Sequence, residues 1–171
     1  TLQDWRVLAI GGYLNGSYLG TVEIYDPTLD VWTYTGSLNT ARVVAGATTL
    51  QDGSVLLIGG VSLGAISSVE KYNPSTGTWS TVASISTGRY GLKAVTLKDG
   101  SALAIGGTNG TLYYNTVQKY NSTTNTWSTM ASLGTGRTDL AAIVLQDGSV
   151  LAIGGRNGTS SYLSSVEKYT P

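Results

Sequence analysis

Three arginines recur at one position of the chain, and they are the first residues whose side chains could do chemistry. Arg42, Arg89 and Arg137 each follow a tryptophan by ten residues and precede an Asp-Gly pair by ten. A guanidinium can hold a carboxylate through two parallel hydrogen bonds. The arginines are therefore candidate binding residues. The alternative is that each one ties down backbone carbonyls of its own loop, because a residue kept in every unit usually serves every unit.

A second set of candidates lies mainly in segments that follow paired glycines. Exposed tyrosine beside asparagine and arginine suits the recognition of a protein or a carbohydrate. The alternative is that the rings pack locally within ordinary Gly- and Asn-rich loops. The candidate binding residues of this set are Tyr13, Tyr18, Tyr90, Tyr113, Tyr114, Arg156 and Tyr162.

The composition excludes several classes of function. The chain has no Cys and no His, so the usual ligands for zinc and copper and the commonest general base are missing. We therefore predict no catalytic residue, no metal site and no cofactor. Net charge is zero and only 12% of residues are charged, which argues against a nucleic-acid partner. No apolar run is long enough to predict insertion into a membrane.

The polar residues are mostly Ser, Thr, Asn and Gly, a composition that favours an extracellular or secreted protein. Four Asn-X-Ser/Thr tripeptides are candidate glycosylation sites. They begin at Asn15, Asn109, Asn121 and Asn157.

An internal repeat of about 48 residues organises all of these side chains. Segments 49–60, 96–107 and 144–155 are near copies, and a more divergent copy occupies residues 1–12. Residues 1–171 therefore read as a single repeat array. Its units are approximately 1–41, 42–88, 89–136 and 137–171, and the first and last are incomplete.

Each unit predicts four short strands, a to d, and no helix. Strand a, of the Ala45–Leu50 type, leads to an Asp-Gly pair, which indicates a hairpin with a primed turn. Strand b, of the Val55–Ile58 type, is continuously apolar, so we expect both of its faces to be buried. Paired glycines end strand b. Strand c carries a Tyr at the same position of every repeat, such as Tyr72, and strand d carries a Trp, such as Trp79.

The spacing within the repeat is constant except at one place. The distances from Tyr to Trp, from Trp to Arg and from Arg to Asp are the same in every unit that contains them. The segment between the paired glycines and the next Tyr varies in length. Because loops tolerate insertions where packing does not constrain them, the b–c loop is the predicted place for function.

The pattern of Gly-Gly, then Tyr, then Trp seven residues later, with Arg before the next unit, resembles the kelch repeat. The resemblance spans essentially the whole chain and implies an all-β propeller. Its blades would be four-stranded antiparallel sheets around a central axis. In such a blade the b–c and d–a loops lie on one face, and the Asp-Gly and c–d turns lie on the other. The resemblance places the three arginines toward the loop face.

The strands counted from the sequence amount to about 3.5 blades per chain, fewer than a normal ring needs. Three alternatives remain open: two copies share one ring, the chain is a fragment, or it is a filament subunit. A designed origin is also compatible with the similarity of the units. Open blades expose unpaired strand edges, and these favour association with another copy.

These observations predict a non-catalytic kelch propeller module that binds a protein or a glycan through the b–c and d–a loop face. The alternative is a structural protein that assembles with itself into a ring or filament. A sugar-modifying enzyme is a third hypothesis. The copper chemistry of some kelch oxidases does not carry over, because it needs Cys and His.

Overall fold

Four antiparallel β-sheets, one for each repeat, make up the protein. The structure is a computed structural model that describes residues 1–159 and 161–171. Fourteen strands and no helix occur in these residues. Each sheet is a meander in which successive strands are neighbours, as the antiparallel blades of a propeller require.

We number the sheets as blades 1 to 4 in chain order. Blade 1 contains β1 (Val7–Leu14), β2 (Ser17–Asp26) and β3 (Val31–Thr35). Blade 2 contains β4 (Gly46–Thr49), β5 (Val55–Ile58), β6 (Val69–Asn73) and β7 (Thr78–Val82). Blade 3 contains β8 (Lys93–Thr96), β9 (Ala102–Ile105), β10 (Val117–Asn121) and β11 (Thr126–Thr129). Blade 4 contains β12 (Ala141–Val144), β13 (Val150–Ile153) and β14 (Val166–Tyr169).

The a strands β4, β8 and β12 are the innermost strands and lie side by side in that order. The blades are therefore arranged in sequence around a common axis. All four residues of β5 and of β9 are buried, which confirms the expectation for the b strands of the two middle blades. The b strands of blades 1 and 4 are partly exposed, because each has a neighbouring blade on one side only.

The Asp-Gly pairs do form tight hairpins, but the expected primed turn is wrong. In blade 2 the Gly53 N–H donates to the Leu50 carbonyl, and only Gly53 has a positive φ. A primed turn of type I′ needs positive φ at both central residues. The turn is instead a three-residue connection with Gly in the left-handed position, and the Asp52 carboxylate accepts from the Ser54 N–H.

The hydrophobic core lies between the blades rather than within them. In each junction the apolar residues of one blade pack against the Tyr and Ala or Val residues of the next. The Tyr and Trp of a unit sit directly opposite each other on strands c and d. Ring centroids are 5.1 Å apart for Tyr72 and Trp79 and 5.0 Å apart for Tyr120 and Trp127. These rings fill the space between twisted sheets, as the sequence predicts.

The paired glycines bring neighbouring units into backbone contact. The Gly107 N–H donates to the Arg137 carbonyl at 2.8 Å, and the Gly60 N–H donates to the Arg89 carbonyl at 2.9 Å. A Cβ atom at Gly106 would collide with that same Arg137 carbonyl, and Gly106 also has a φ of +66°. Both the close approach and the left-handed backbone therefore require glycine there.

Candidate functional site

The b–c and d–a loops meet at one end of the blades, which we call the loop face. In blade 3, Thr108 pairs with Tyr90 of the d–a loop and with Tyr113 of the returning b–c loop. In blade 4, Arg156 pairs in the same way with Thr138 and Tyr162. A short three-stranded extension of each blade thus carries the candidate residues on hydrogen-bonded backbone.

Five residues of the b–c and d–a loops lie where blades 3 and 4 meet. Arg156 Nε donates to Asp139 Oδ2 at 2.8 Å, and both side chains are partly exposed. Asp139 raises the pKa of the Arg156 guanidinium, with smaller contributions from Tyr113 and Tyr162. Tyr162 is 80% exposed, whereas Tyr113 and Tyr90 are half-buried. We call Tyr90, Tyr113, Asp139, Arg156 and Tyr162 the tyrosine–arginine patch.

The backbone of the d–a loops supports this patch. The Asp139 N–H donates to the Gly91 carbonyl, and the Gly91 N–H donates to the Val44 carbonyl. These three residues occupy the same position of the repeat, and all have a φ between +54° and +63°. The left-handed conformation is strained for Asp139 and especially for the β-branched Val44. Strain of this kind is often concentrated at binding and catalytic sites.

The candidates of blade 1 form a separate aromatic pair. Tyr13 and Tyr18 face each other across the hairpin, and their ring centroids are 5.1 Å apart. Tyr13 is 60% exposed, and Tyr18 is half-buried. The pair lies on the b–c loop of a different blade from the tyrosine–arginine patch.

The three repeated arginines are buried, whereas a ligand site needs side chains that a ligand can reach. Arg42, Arg89 and Arg137 are at most 1% exposed. Arg42 Nη1 donates to the carbonyls of Gly59 and Ser68, at 3.0 and 2.9 Å. Burial lowers the pKa of the Arg42 guanidinium, and the carboxylate of Glu70, 2.6 Å away, opposes that shift. The guanidinium N–H groups donate to backbone carbonyls at the ends of the b–c loops. We therefore leave these arginines out of the proposed binding surface.

Arg89 and Arg137 repeat the arrangement with differences. Arg137 donates to the Gly154 carbonyl and pairs with Glu167. Arg89 donates to the Gly106 carbonyl but has Gln118 in place of the glutamate. Its guanidinium lies 4.5 Å from the centroid of the Tyr114 ring, a cation–π contact. Tyr114 is half-buried, and its ring positions the Arg89 guanidinium.

Sequence reasoning omitted Asp139 from the binding residues, although it is the charged partner of Arg156. The residue stands two places after Arg137, where the other units have Val44 and Gly91. That departure from the repeat was the available signal, since a residue present in one unit does not serve the scaffold.

The opposite end of the blades, the turn face, carries ion pairs instead of exposed tyrosines. Asp99 Oδ2 lies 2.7 Å from Lys119 Nζ, and the equivalent pair Asp52–Lys71 measures 2.9 Å. A groove of about 670 Å³ between blades 2 and 3 is lined by Asp52, Asp99 and Lys119 together with uncharged polar residues and two apolar ones, Leu50 and Met130. The Asp and Lys side chains are thus paired within their own blade, whereas Gln51 Nε2 reaches the next blade and donates to the Lys98 carbonyl at 2.8 Å.

The turn-face aspartates give a specific expectation for pH dependence. Lys119 and then Ser101 lower the pKa of Asp99 from 3.8 to about 2. A carboxylate with a depressed pKa contributes stability above its unfolded pKa and loses it as the pH falls through the folded value. The thermal midpoint of the wild type should therefore fall between about pH 4 and pH 2, and that of Asp99→Asn should fall less steeply. Parallel midpoint curves for the two proteins would contradict this assignment.

The four candidate glycosylation sites are all exposed. Asn15, Asn109, Asn121 and Asn157 lie in loops or turns or at the end of a strand. The Asn109 side-chain oxygen accepts from the N–H groups of Thr111 and Leu112, and Asn121 makes equivalent bonds. Their exposure makes modification sterically possible, and modification itself stays a prediction.

Two further observations concern residues 1–159 and 161–171. No group of three or more acidic side chains in this part of the chain could hold a metal ion. No helix among these residues has the length and apolarity needed to cross a membrane.

Antiparallel sheets of three or four strands follow one another around an axis, with Tyr–Trp pairs between them and loops of variable length at one end, and this arrangement is a β-propeller architecture. A family model of the kelch motif matches the chain four times, at residues 6–39, 45–86, 89–134 and 137–171. The chain therefore belongs to the kelch-repeat family. No curated protein gives a significant match. Kelch repeats form propeller modules that commonly bind proteins, and such domains are generally non-catalytic.

Proposed function

We propose that this chain is a protein-binding module and that the tyrosine–arginine patch on the loop face is its contact surface. The observation that carries the proposal is the composition of the patch. Tyr and Arg are the residues that most often dominate binding energy at protein interfaces. Tyr162 and Arg156 are presented on a paired backbone, so little conformational entropy is lost when a partner binds.

A protein partner fits the patch better than a free sugar does. Small ligands bind in concave sites that enclose most of their surface. The patch is built from strand extensions with Tyr162 projecting from them, and the groove of about 670 Å³ lies at the opposite end of the blades. A glycan on the loop face is the alternative, which a glycan array would detect.

The location of the protein is part of this proposal. An extracellular or secreted module fits the Ser/Thr/Asn-rich surface and the exposure of the four sequons. Expression in a secreting eukaryotic cell, followed by mass measurement before and after glycosidase treatment, tests whether they are used.

Peptide display against the immobilised chain tests the patch without a known partner. Peptides selected on the wild type should bind Arg156→Ala/Tyr162→Ala at least tenfold more weakly, because hot-spot truncations cost about 2 kcal/mol or more. The matched control is Tyr13→Ala/Tyr18→Ala, which removes an equally aromatic pair from blade 1. Thermal unfolding of both variants should stay close to wild type. Peptides that bind all three proteins equally would place recognition elsewhere.

A further inference from the structure

Arg89, at the junction of blades 2 and 3, is a buried cation without a carboxylate partner. Burial lowers the pKa of its guanidinium, because the charged form loses hydration. In blade 2 the equivalent Arg42 pairs with Glu70, whereas blade 3 has Gln118 at the position of that glutamate. The Tyr114 ring contacts the Arg89 guanidinium, but an aromatic ring carries no net negative charge. A buried charge is costly unless it is paired, so the surroundings of Arg89 favour an anion.

The same position of blades 2 and 4 holds a carboxylate among N–H donors. In blade 2, Glu70 Oε1 accepts from Arg42 Nη2 at 2.6 Å and from the Thr40 N–H at 3.1 Å. Glu70 Oε2 accepts from the Asn39 N–H at 2.8 Å. In blade 4, Glu167 accepts from the equivalent arginine and from the two equivalent backbone N–H groups. The guanidinium and two backbone N–H groups of the d–a loop thus form an anion-binding arrangement in both blades.

In blade 3 the amide of Gln118 replaces one acceptor of this arrangement with a donor. Gln118 Oε1 accepts from the Ser86 N–H at 3.3 Å, so it takes the place of Glu70 Oε2. The amide nitrogen Nε2 then takes the place of Glu70 Oε1, and it can only donate. The described residues accept no hydrogen bond from Gln118 Nε2, from Arg89 Nη2 or from the Thr87 N–H. Three donors are therefore grouped where blades 2 and 4 have a carboxylate oxygen.

We propose that blade 3 binds a small monovalent anion such as chloride between Arg89 Nη2, Gln118 Nε2 and the Thr87 N–H. The anion supplies the negative charge that Glu70 supplies in blade 2, and it accepts from all three donors. A single-atom anion fits this arrangement better than a carboxylate, because the Gln118 side chain takes the space that glutamate takes in the other two blades. The anion stabilises the arginine that holds the b–c loop of blade 3, and it is not part of the tyrosine–arginine patch.

Thermal unfolding in sodium chloride and in sodium gluconate at equal ionic strength tests the proposal. Gln118→Glu supplies an internal carboxylate, so this variant should not bind chloride at the site. The rise in thermal midpoint on exchanging gluconate for chloride should be at least about 2 °C larger for the wild type than for Gln118→Glu, because a ligand that binds only the folded chain stabilises it. Gln146→Glu adds the same charge at an exposed position and should keep the chloride dependence of the wild type.

Bromide, which scatters X-rays anomalously, locates the ion directly. A crystal soaked in sodium bromide should show an anomalous peak within hydrogen-bond distance of Arg89 Nη2 and no peak beside Arg42, whose carboxylate partner is internal. Equal chloride dependence of the wild type and Gln118→Glu overturns the proposal, as does a bromide-soaked crystal without a peak at Arg89. Peptide binding by the loop face is measured separately, so either result leaves the proposed function untouched.

Discussion

Replacing Arg42 with alanine is expected to lower the free energy of unfolding by about 3–5 kcal/mol. The guanidinium is buried, and its loss leaves the Glu70 carboxylate without its cation and the Gly59 carbonyl without its donor. The Ser68 carbonyl loses one of its two donors, because it also accepts from the Gly59 N–H. Breaking a buried pair by removing one partner is costly because the remaining charge stays buried. The urea midpoint measured by tryptophan fluorescence gives the size of the effect.

Two comparisons make the Arg42 prediction specific. Arg156→Ala removes an exposed guanidinium and should leave the urea midpoint close to that of the wild type. Glu70→Gln copies the arrangement of unit 3, where Arg89 has Gln118 nearby, and should be milder than Arg42→Ala. If Arg42→Ala unfolds at the same urea concentration as Arg156→Ala, then Arg42 does not stabilise the b–c loop of blade 2.

Trp79→Ala should cost about 3–5 kcal/mol, because it removes a large buried ring from the junction of blades 1 and 2. Trp79 packs in one cluster with Val22 and Ile24 of blade 1. The cavity would separate two blades that are joined mainly by such contacts. Calorimetry should show a lower thermal midpoint and, if the blades unfold separately, a broader transition.

Trp32 and a phenylalanine variant are the controls for Trp79. Trp32→Ala changes the same repeat position at an exposed site and should cost much less in a monomer. Among the described residues, the buried Trp79 Nε1–H has no hydrogen-bond partner. Trp79→Phe removes that unsatisfied group and should be far milder than Trp79→Ala. Equal losses for Trp79→Ala and Trp32→Ala would show that the junction does not depend on the ring.

The sequence predicted the scaffold well because the residues that form the strands and the core recur in each repeat. The b strands Val55–Ile58, Ala102–Ile105 and Val150–Ile153 have the predicted bounds. Their short, continuously apolar runs between Asp-Gly and Gly-Gly indicate strands covered on both sides, and the strands of blades 2 and 3 are fully buried. The first b strand, expected at residues 7–10, extends to Leu14 because its loop continues as a hairpin beyond an irregularity between Ile10 and Gly12.

The role of the repeated arginines could not be read from type and spacing. The types and spacing of the neighbouring residues are the same whether such an arginine is buried or binds a ligand. What decides between them is whether buried backbone carbonyls at the paired glycines, such as that of Gly59, need a donor. Only coordinates show where those carbonyls point. The type of hairpin turn was missed for a similar reason, since Asp-Gly suits two turn geometries and the loop length selects between them.

The variable b–c loops have a consequence for how recognition can change in this scaffold. In blades 2 to 4 each loop is joined to its blade through fixed points, the paired glycines and the buried arginine, while the residues between them differ in number and type. The residues of a loop such as 108–115 should therefore be able to replace, as a block, the corresponding loop residues of another unit. Specificity can then diversify at nearly constant folding energy, one blade at a time.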